Sequence, residues 1–225
     1  MRDVAVVIPA GGVGARLGRR TPKQFLTLAG APILVATVRH FARHPRVNGI
    51  VVAAPASHVE HARRVLGRLR GASIAVVVGG DTRQESVSRG LAVVSADTKL
   101  VVVHDAVRPF ITASLIDAVL VAAGATGAAI CAVPIAETVK RVSNGAVTGT
   151  LDRSELVAVQ TPQAFRVDLL REAHDKARRD GVTGTDDAML VERLGQEVRV
   201  VPGLAENIKI TTPVDLRRAR ARVRS

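Results

Sequence analysis

The sequence predicts a three-layer α/β sandwich, in which helices cover both faces of a mostly parallel β-sheet. Short runs of β-branched residues alternate with helical patterns from residue 4 to residue 133. These runs are apolar at nearly every position, as expected for strands that are buried on both faces of a sheet. The alternation of strands and helices favours parallel strands joined by right-handed crossovers.

Five strands and four helices account for this first part of the chain. The predicted strands span residues 4–8, 50–54, 74–78, 100–104 and 128–133. The predicted helices span roughly residues 33–43, 58–69, 86–94 and 113–123. The uncharged stretch 118–136 is as long as a membrane span, but it is rich in Ala and Gly and contains Pro134. We interpret it as a helix end, a turn and a buried strand.

The pattern changes after Pro134, where a polar and extended segment begins. The pair Asn144-Gly145, flanked by Val142 and Val147, indicates a β-hairpin. We therefore predict an arm over residues 137–159 that protrudes from the globule. The elements predicted after it are helices over residues 167–179, 186–194 and 214–223 and a strand over residues 197–201.

Length and cysteine content limit the classes of protein to which the chain can belong. The chain has 225 residues, 47% of them hydrophobic, which suffices for one sizeable core, so we predict a single domain over residues 1–225 that includes the arm. Cys131 is the only cysteine, which excludes a disulfide framework and a cysteine-built zinc site and favours the reducing cytoplasm. The apolar run that ends before Pro9 is too short for the core of a signal peptide.

The charge balance first suggests a nucleic-acid partner. The formal net charge is +12, with 32 Lys and Arg against 20 Asp and Glu. However, the chain has no Trp or Tyr and only four Phe, which leaves little surface for base stacking. Five of the Arg residues are concentrated in residues 217–225. The remaining excess could face a small polyanion instead of a duplex.

A glycine-rich loop follows the first predicted strand, where ligands bind in open α/β sheets. It contains Gly11, Gly12 and Gly14, whose spacing does not fit a dinucleotide-binding motif because position 17 is Leu. A Walker A triplet is also missing from the sequence. Arg16 and Lys23 add two cations, which suits a reaction at a charged phosphorus centre. The alternative is a tight turn whose cations are solvated.

Two further strand ends carry candidate binding groups. The run from Gly79 to Ser86 could offer backbone groups and a hydroxyl to the edge of a base, although a helix N-cap at Asp81 or Thr82 is the alternative. Asp105 follows the fourth strand and suits a ribose hydroxyl or a magnesium ion that bridges phosphates. A structural pair with Arg108 is the alternative there.

Later signals are weaker individually. Thr138 and Lys140 begin the arm, and Arg153 ends it. Lys209 lies in a short apolar run that we predict to be a strand, and since lysine is rarely buried without a partner, an anionic ligand is indicated. An edge strand with Lys209 in solvent is the alternative. We interpret His58 and His61 as surface residues, Cys131 as a core residue, and Thr185 as the cap of a helix that begins at Asp186.

Taken together, the motifs resemble one family over essentially the whole chain. AGGVGARLG, PKQF, GGDTRQES, HDAVRP, TVKR, LDR, TPQAF and ENIKIT follow one another as in the 2-C-methyl-D-erythritol 4-phosphate cytidylyltransferases. The resemblance implies a Rossmann-like nucleotidyltransferase fold and a homodimer whose arms are exchanged. It also implies the transfer of CMP from CTP to methylerythritol phosphate in the non-mevalonate isoprenoid pathway, with Mg²⁺ or another divalent cation, and no nucleic-acid or membrane partner.

The resemblance also implies roles for particular residues. The implied catalytic residues are Arg16, Lys23, Lys209 and Arg153. The implied CTP-binding residues are Ala10, Gly11, Gly12, Gly14, Gly80, Asp81, Arg83, Ser86, Asp105 and Ala106. The implied residues for methylerythritol phosphate are Asp105, Arg108, Thr138, Arg153, Thr161, Thr185 and Lys209. Asp105 would contact the metal, which the CTP phosphates would mostly hold, Arg83 would brace the base-binding loop, and Thr138 and Arg153 would reach the neighbouring subunit's site.

Three alternative functions stay open on the sequence alone. The first is a cytidylyltransferase for ribitol 5-phosphate or another sugar phosphate, since pocket shape decides between such acceptors. The second is a nucleic-acid-binding protein that uses the Arg-rich C-terminal segment. The third, an NAD(P)-dependent oxidoreductase, is weakened by the glycine spacing.

Overall fold

The computed structural model describes residues 2–12 and 21–223. The strands are β1 (Val4–Pro9), β2 (Thr27–Leu28), β3 (Ala31–Pro32), β4 (Val47–Ala54), β5 (Ser73–Val78), β6 (Leu100–Val103), β7 (Ala128–Pro134), β8 (Lys140–Ser143), β9 (Ala146–Thr150), β10 (Val157–Arg166) and β11 (Arg199–Pro202). The helices are α1 (Ile33–Ala42), α2 (Val59–Leu66), α3 (Arg83–Leu91), α4 (Ala113–Thr126), α5 (Val167–Arg179), α6 (Asp187–Glu192) and α7 (Pro213–Arg222).

A central seven-stranded sheet organises the molecule. Its strand order is β5-β4-β1-β6-β10-β7-β11. Strand β10 runs antiparallel to both of its neighbours, and the other strand pairs are parallel. The mostly parallel sheet expected from the alternating apolar runs is therefore confirmed.

Both faces of the sheet are covered by helices, which gives the three predicted layers. In β1, Val4, Val6 and Ile8 join the core cluster that includes residues of α1, α2 and α4. The alternate residues Ala5 and Val7 join a second cluster with residues of α3, α5 and α6. All five residues are buried, so this strand has no solvent face, as its unbroken apolar sequence predicts.

The predicted elements of the first part of the chain are confirmed, with ends that shift by a few residues. Strand β4 begins earlier than predicted, at Val47, and α2 ends earlier, at Leu66. The uncharged stretch 118–136 forms the end of α4, a turn at Gly127 with a φ of 93°, and strand β7. Across the described ranges, the structure contains no helix that is both long and apolar enough to traverse a bilayer.

Strand β10 was not predicted, and the reason is Pro162. A proline in a run of strand-forming residues argues against a central strand, because it cannot donate a ladder hydrogen bond. In the structure, the pairing of β10 with β7 shifts register between Gln160 and Gln163, so Pro162 lies in an irregularity of the ladder. The last three residues of the predicted arm, 157–159, therefore belong to the central sheet.

The rest of the predicted arm contains a separate hairpin. Strands β8 and β9 pair antiparallel with each other in a two-stranded sheet of their own. The turn between them is Asn144-Gly145, with φ angles of 49° and 78°, as the Asn-Gly signal predicts. The hairpin leaves apolar side chains in solvent: Val142 is 59% exposed and Val147 is 63% exposed.

The start of α6 corrects one local prediction. Asp186, and not Thr185, caps the helix, because the side chain of Asp186 accepts a hydrogen bond from the Met189 amide. At α3 the helix-cap alternative holds for Thr82, whose hydroxyl accepts from the Glu85 amide at 3.0 Å. Both caps satisfy a backbone donor that a helix leaves unpaired at its first turn.

Close packing of α3 against β1 leaves no room for a side chain at Gly90. A Cβ added at Gly90 would lie 2.5 Å from Cγ1 of the buried Val7. We expect Gly90→Ala to lower the free energy of unfolding by about 1–3 kcal/mol, because overpacking outweighs the gain in helix propensity. Urea unfolding measures this change.

Gly124 in α4 provides the matched control, because a Cβ there would meet nothing within 4 Å. We expect Gly124→Ala to leave stability unchanged or raise it by up to about 1 kcal/mol. Equal effects of the two substitutions would contradict the close contact between α3 and β1.

Candidate active site

A cleft of about 360 Å³ lies at the carboxyl ends of β1, β5 and β6. Most of the residues proposed for catalysis and nucleotide binding line it. They are Ala10, Gly11, Gly12, Lys23, Gly80, Asp81, Arg83, Ser86, Asp105, Ala106 and Lys209. Gly14 and Arg16, which were also proposed, lie outside the described residues.

The turn that carries Lys23 is held against the beginning of the glycine-rich loop by a hydrogen bond. Gln24 donates from Nε2 to the Ala10 carbonyl oxygen at 2.6 Å, and Ala10 donates its amide to Ala53 of β4 at 2.8 Å. Lys23 is the first residue of a short 3-10 turn, Lys23–Phe25. Because Gln24 is buried, this bond sets where the turn lies relative to β1.

Phe25 fixes the same turn from the other side. Its ring stacks on His58 with a centroid distance of 5.4 Å and meets the edge of His61 at 4.8 Å. The two histidines therefore do more than face solvent, although His61 is exposed and His58 is half-buried. Lys23 reaches the cleft from a turn whose next two residues are both held by contacts with other segments.

The turn after β5 is closed by side chains of α3. The Gly80 amide donates to Ser86 Oγ at 3.1 Å, and the Asp81 amide donates to Glu85 Oε2 at 2.7 Å. A Cβ at Gly80 would lie 2.2 Å from Cβ of Glu85, so this close approach requires glycine. Arg89 donates to the Gly79 carbonyl oxygen at 2.8 Å, whereas Arg83 contacts Asp105 and Asp187, so a bracing role for Arg83 at this turn stays a prediction.

Asp105 is the electrostatic centre of the cleft. Its Oδ2 lies 2.9 Å from Nζ of Lys209 and 3.4 Å from Nε of Arg108, and its Oδ1 lies 3.5 Å from Nε of Arg83. Burial alone would raise the pKa of Asp105, but the three cations outweigh burial and hold that pKa well below its usual range. The surrounding cations therefore favour the ionised form of Asp105.

Lys209 does not lie in a strand, which corrects that prediction. Residues 207–211 form no regular element, and Ile210 attaches to the loop after β6 through one backbone bond to Val107 at 3.0 Å. Lys209 remains 41% exposed at its side chain, so it contacts Asp105 and the solvent-filled cleft together. The anionic partner inferred from sequence includes a carboxylate of the protein itself.

Asn207 ties this segment to β10. It is fully buried, and its Nδ2 donates to Gln160 Oε1 at 3.2 Å and to the Thr161 carbonyl oxygen at 2.8 Å. The Asn207 carbonyl oxygen accepts from Nη1 of Arg108 at 2.7 Å. Arg108 therefore joins Asp105 to the Lys209 segment from behind the cleft.

The residues proposed for the acceptor phosphate are not all brought together. Thr161 is buried and accepts from the Asp105 amide at 3.0 Å, so it supports the cleft without lining it in the described part of the chain. Thr185 is exposed before α6, and its hydroxyl lies 3.8 Å from the Met189 sulfur. Thr138 and Arg153 lie on the exposed arm, where Arg153 donates to the Ala136 carbonyl oxygen.

A divalent cation fits this cleft only if a bound phosphate-containing molecule supplies further oxygen ligands to it. No group of three or more His, Cys, Asp or Glu residues that could hold a metal occurs within residues 2–12 and 21–223. Asp105 offers one carboxylate, and its Oδ1 lies 3.5 Å from Nε of Arg83. Oxygen atoms of carboxylates and phosphates are the ligands that Mg²⁺ prefers. The donor set therefore fits a cation shared between Asp105 and a polyphosphate.

Other residues of the site could not be identified from single motifs. Gln24, Gln160 and Asn207 act through hydrogen bonds between segments that are distant in sequence. Asp187 and His174 lie behind Arg83, and Asp187 carried only the signal of a helix start. A buried polar residue beside a proposed ligand residue is the one pattern that could have indicated Gln24 and Asn207.

The cleft is smaller than another cavity of the molecule, and the two differ in the residues that line them. A cavity of about 510 Å³ is lined by Asp3, Arg46, Lys99 and Arg171 among others, at the opposite edge of the sheet. Among the described residues, none of those proposed for catalysis or substrate binding lines it. The smaller cleft is the one at which the strand ends, the start of the glycine-rich loop and the proposed cations meet.

The α/β fold, with a cleft at the strand ends that Lys23, Asp105 and Lys209 line, fits the class of nucleotidyltransferases. The family described as "IspD: 2-C-methyl-D-erythritol 4-phosphate cytidylyltransferase" matches residues 4–225. The chain belongs to this family of cytidylyltransferases.

Individual relatives agree with this assignment. The chain is 50% identical to the 2-C-methyl-D-erythritol 4-phosphate cytidylyltransferase of Solibacter usitatus, over 95% of this chain and 92% of that protein. It is 48% identical to that of Symbiobacterium thermophilum, over 96% and 91% of the two chains.

Solved structures share the fold over nearly the whole chain. The 4-diphosphocytidyl-2C-methyl-D-erythritol synthase of Anaerococcus prevotii superposes with a TM-score of 0.88 at 29% identity, covering 99% of this chain and 96% of that one. The 2-C-methyl-D-erythritol 4-phosphate cytidylyltransferase of Thermus thermophilus superposes with a TM-score of 0.83 at 38% identity, covering 99% and 100%.

The cap of α7 holds the segment that carries Lys209 and gives a pH-dependent prediction. Burial would raise the pKa of Asp215, but hydrogen bonds from Thr211 and Thr212 lower it from 3.8 to about 2. A lowered carboxyl pKa adds stability that is present above pH 4 and is lost as the pH falls toward 2. We expect Asp215→Asn to be less stable than wild type by about 1 kcal/mol at pH 7, allowing for solvent screening.

Urea unfolding at a series of pH values measures this effect. The difference between Asp215→Asn and wild type should shrink as the pH falls from 4 toward 2, because the wild-type carboxylate becomes protonated. A difference that stays constant over this range would contradict the cap as the origin of the stability.

Proposed function

We propose that the protein transfers CMP from CTP to 2-C-methyl-D-erythritol 4-phosphate, giving 4-diphosphocytidyl-2-C-methyl-D-erythritol and pyrophosphate. The family match over residues 4–225 supports this reaction. The observation that carries it is the convergence of Lys23, Asp105 and Lys209 on one cleft at the carboxyl ends of the parallel strands. Such a cleft suits a triphosphate and a second phosphate.

The chemistry requires charge neutralisation more than proton transfer. The acceptor is a phosphate monoester that is ionised at neutral pH, so its oxygen attacks the α-phosphorus of CTP without a general base. A bond forms between that oxygen and the α-phosphorus, and the bond from the α-phosphorus to the oxygen that bridges it to the β-phosphorus breaks, releasing pyrophosphate. Catalysis then depends on bringing two polyanions together and stabilising the charge that develops between them.

Each part of the cleft has a task in this reaction. The ammonium of Lys23 stabilises the charged phosphorus centre, together with Arg16 of the glycine-rich loop. The turn from Gly80 to Ser86 holds the cytosine and ribose, and Lys209 binds phosphate oxygens. A divalent cation such as Mg²⁺, when bound, neutralises phosphate charge, and Asp105 would hold it with the phosphates. We expect the reaction to run in the cytoplasm.

The first experiment removes the charge at Lys23. We expect Lys23→Ala to lower kcat by about 100- to 1000-fold while the fold remains intact, because one preorganised electrostatic contact to the transition state is lost. Release of pyrophosphate from CTP and Mg²⁺ with methylerythritol phosphate measures turnover. Parallel reactions with ribitol 5-phosphate and other sugar phosphates test the alternative acceptors.

Lys99→Ala is the matched control, since Lys99 is exposed at the opposite edge of the sheet. It should retain wild-type turnover. A Lys23→Ala enzyme with near-normal kcat, or a wild type that prefers ribitol 5-phosphate, would overturn the proposed reaction.

We also propose a homodimer in which each arm contributes to the partner's site. Thr138 and Arg153 do not line the cleft of their own chain as far as the described residues go, and both are exposed. The arm and the start of β10 expose apolar side chains that a second copy could cover: Val142, Val147, Val157 and Val159. The homodimer gives these residues a function that the single chain does not.

Mixing two inactive variants tests the shared site. In a mixed dimer of Arg153→Ala and Lys23→Ala subunits, one site receives an intact Lys23 from one subunit and an intact Arg153 from the other. Random exchange of subunits should therefore restore about a quarter of the wild-type activity, since the interface is symmetric. No recovery after verified subunit exchange would show that Arg153 acts in its own chain, and wild-type activity of Arg153→Ala by itself would show that Arg153 has no role.

A further inference from the structure

A second buried carboxylate, Asp187, lies behind Arg83 and has no part in the reaction described above. Nη1 of Arg83 lies 2.6 Å from Oδ2 of Asp187, whereas Nε of Arg83 lies 3.5 Å from Oδ1 of Asp105. Oδ1 of Asp187 lies 3.0 Å from Nε2 of His174 on α5. The side chains of Asp187 and His174 are only 1% and 4% exposed. A line of alternating charges thus runs from Lys209 in the cleft through Asp105 and Arg83 to Asp187, which His174 contacts from behind.

We propose that Asp187 and His174 are positioning residues, which hold Arg83 away from Asp105 so that Asp105 stays available to Lys209 and to the nucleotide. This inference rests on the proposed function, because it assigns Asp105 to the bound CTP.

The distances favour Asp187 as the main partner of Arg83. A guanidinium frequently pairs with a single carboxylate through two parallel hydrogen bonds. Arg83 does not do so with Asp105, because its short contact is with Asp187. Oδ2 of Asp105 consequently contacts Lys209 at 2.9 Å, and the contact of its Oδ1 with Arg83 is long, at 3.5 Å.

His174 sets which oxygen of Asp187 faces Arg83. With the imidazole on Oδ1, only Oδ2 is directed at the guanidinium. Burial would raise the pKa of Asp187, but the hydrogen bond from His174 and the charge of Arg83 lower it, so Asp187 is charged. The pair therefore presents one fixed negative charge to the back of Arg83.

A purely structural role does not account for this arrangement. Buried ion pairs add little stability compared with apolar side chains of the same volume. The segment that carries Asp187 is already tied to α3 by neutral bonds of Gln84, which donates to the Val182 carbonyl oxygen at 3.1 Å and accepts from the Gly184 amide at 2.8 Å. The charge of Asp187 adds an effect that these bonds do not supply, namely its pull on Arg83.

The test is CTP binding, measured by calorimetry on the full chain with CTP and Mg²⁺ and without an acceptor. We expect Asp187→Asn to weaken CTP binding about 10- to 100-fold, as the loss of a supporting partner behind a binding residue commonly does. Asp180→Asn makes the same charge change at an exposed acid that pairs with Lys176 and Arg193, and it should bind CTP like wild type.

Two further comparisons separate positioning from a structural role. In an Arg83→Gln background, adding Asp187→Asn should change CTP affinity less than about twofold, whereas independent roles would multiply. His174→Gln keeps a donor for Asp187 and should bind CTP like wild type, and His174→Leu removes the donor and should match Asp187→Asn. This pair also serves if Asp187→Asn does not fold.

The outcomes are distinct from those for the reaction itself. Wild-type CTP affinity in both Asp187→Asn and His174→Leu, or losses that multiply with Arg83→Gln, would overturn the positioning role. If no alcohol phosphate were turned over while CTP affinity still fell in Asp187→Asn, the proposed acceptor would be wrong and the positioning role supported.

Discussion

The carboxylate of Asp105 is the interaction on which the rest of the cleft depends. It is buried, and it is contacted by cations from three segments that are separate in sequence, Arg83, Arg108 and Lys209. A buried charge without partners would cost several kcal/mol, and the contacts with these cations offset that cost. The segment that carries Lys209 has no regular structure, and its place is set by Asp105, by Arg108 and by the hydrogen bonds of Asn207.

The same carboxylate explains how a cleft with several cations stays folded before its ligand arrives. Arg83, Arg108 and Lys209 would repel one another if Asp105 were neutral. With Asp105 ionised, the cations are held in place but only partly neutralised, and the exposed side of Lys209 still faces the cleft. Phosphate oxygens can complete this charge balance. A site arranged in advance for a polyanion needs little rearrangement during the reaction.

The framework of the fold follows from sequence because its cause is local. The residues of β1 are apolar on both faces, and the structure buries both faces. Strand β10 escaped prediction because Pro162 masks it, and the irregular pairing that tolerates the proline is a tertiary feature. For Lys209 the error is the opposite one, because the apolar run around it predicts a strand that the structure lacks. An apolar run that has no sheet partner stays irregular.

The residues of the candidate site also fall into those that local sequence predicts and those that depend on contacts between distant segments. Lys23 and Asp105 could be proposed from sequence because each follows a predicted strand, and the ends of parallel strands meet at one edge. The contact between Arg83 and Asp187 joins residues 104 positions apart, which no local pattern encodes. The proposed contribution of Arg153 depends on a second copy of the chain, so neither one sequence nor one chain displays it.

The most direct measurement is a crystal structure of the protein with CTP and a divalent cation. The account predicts the triphosphate between the glycine-rich loop and Lys23, the cytosine on the turn from Gly80 to Ser86, and Asp105 facing the ribose or the cation, with Arg83 still held by Asp187. A nucleotide bound outside this cleft, for example in the cavity beside Arg46, or bound with Asp105 turned wholly onto Arg83, would contradict it.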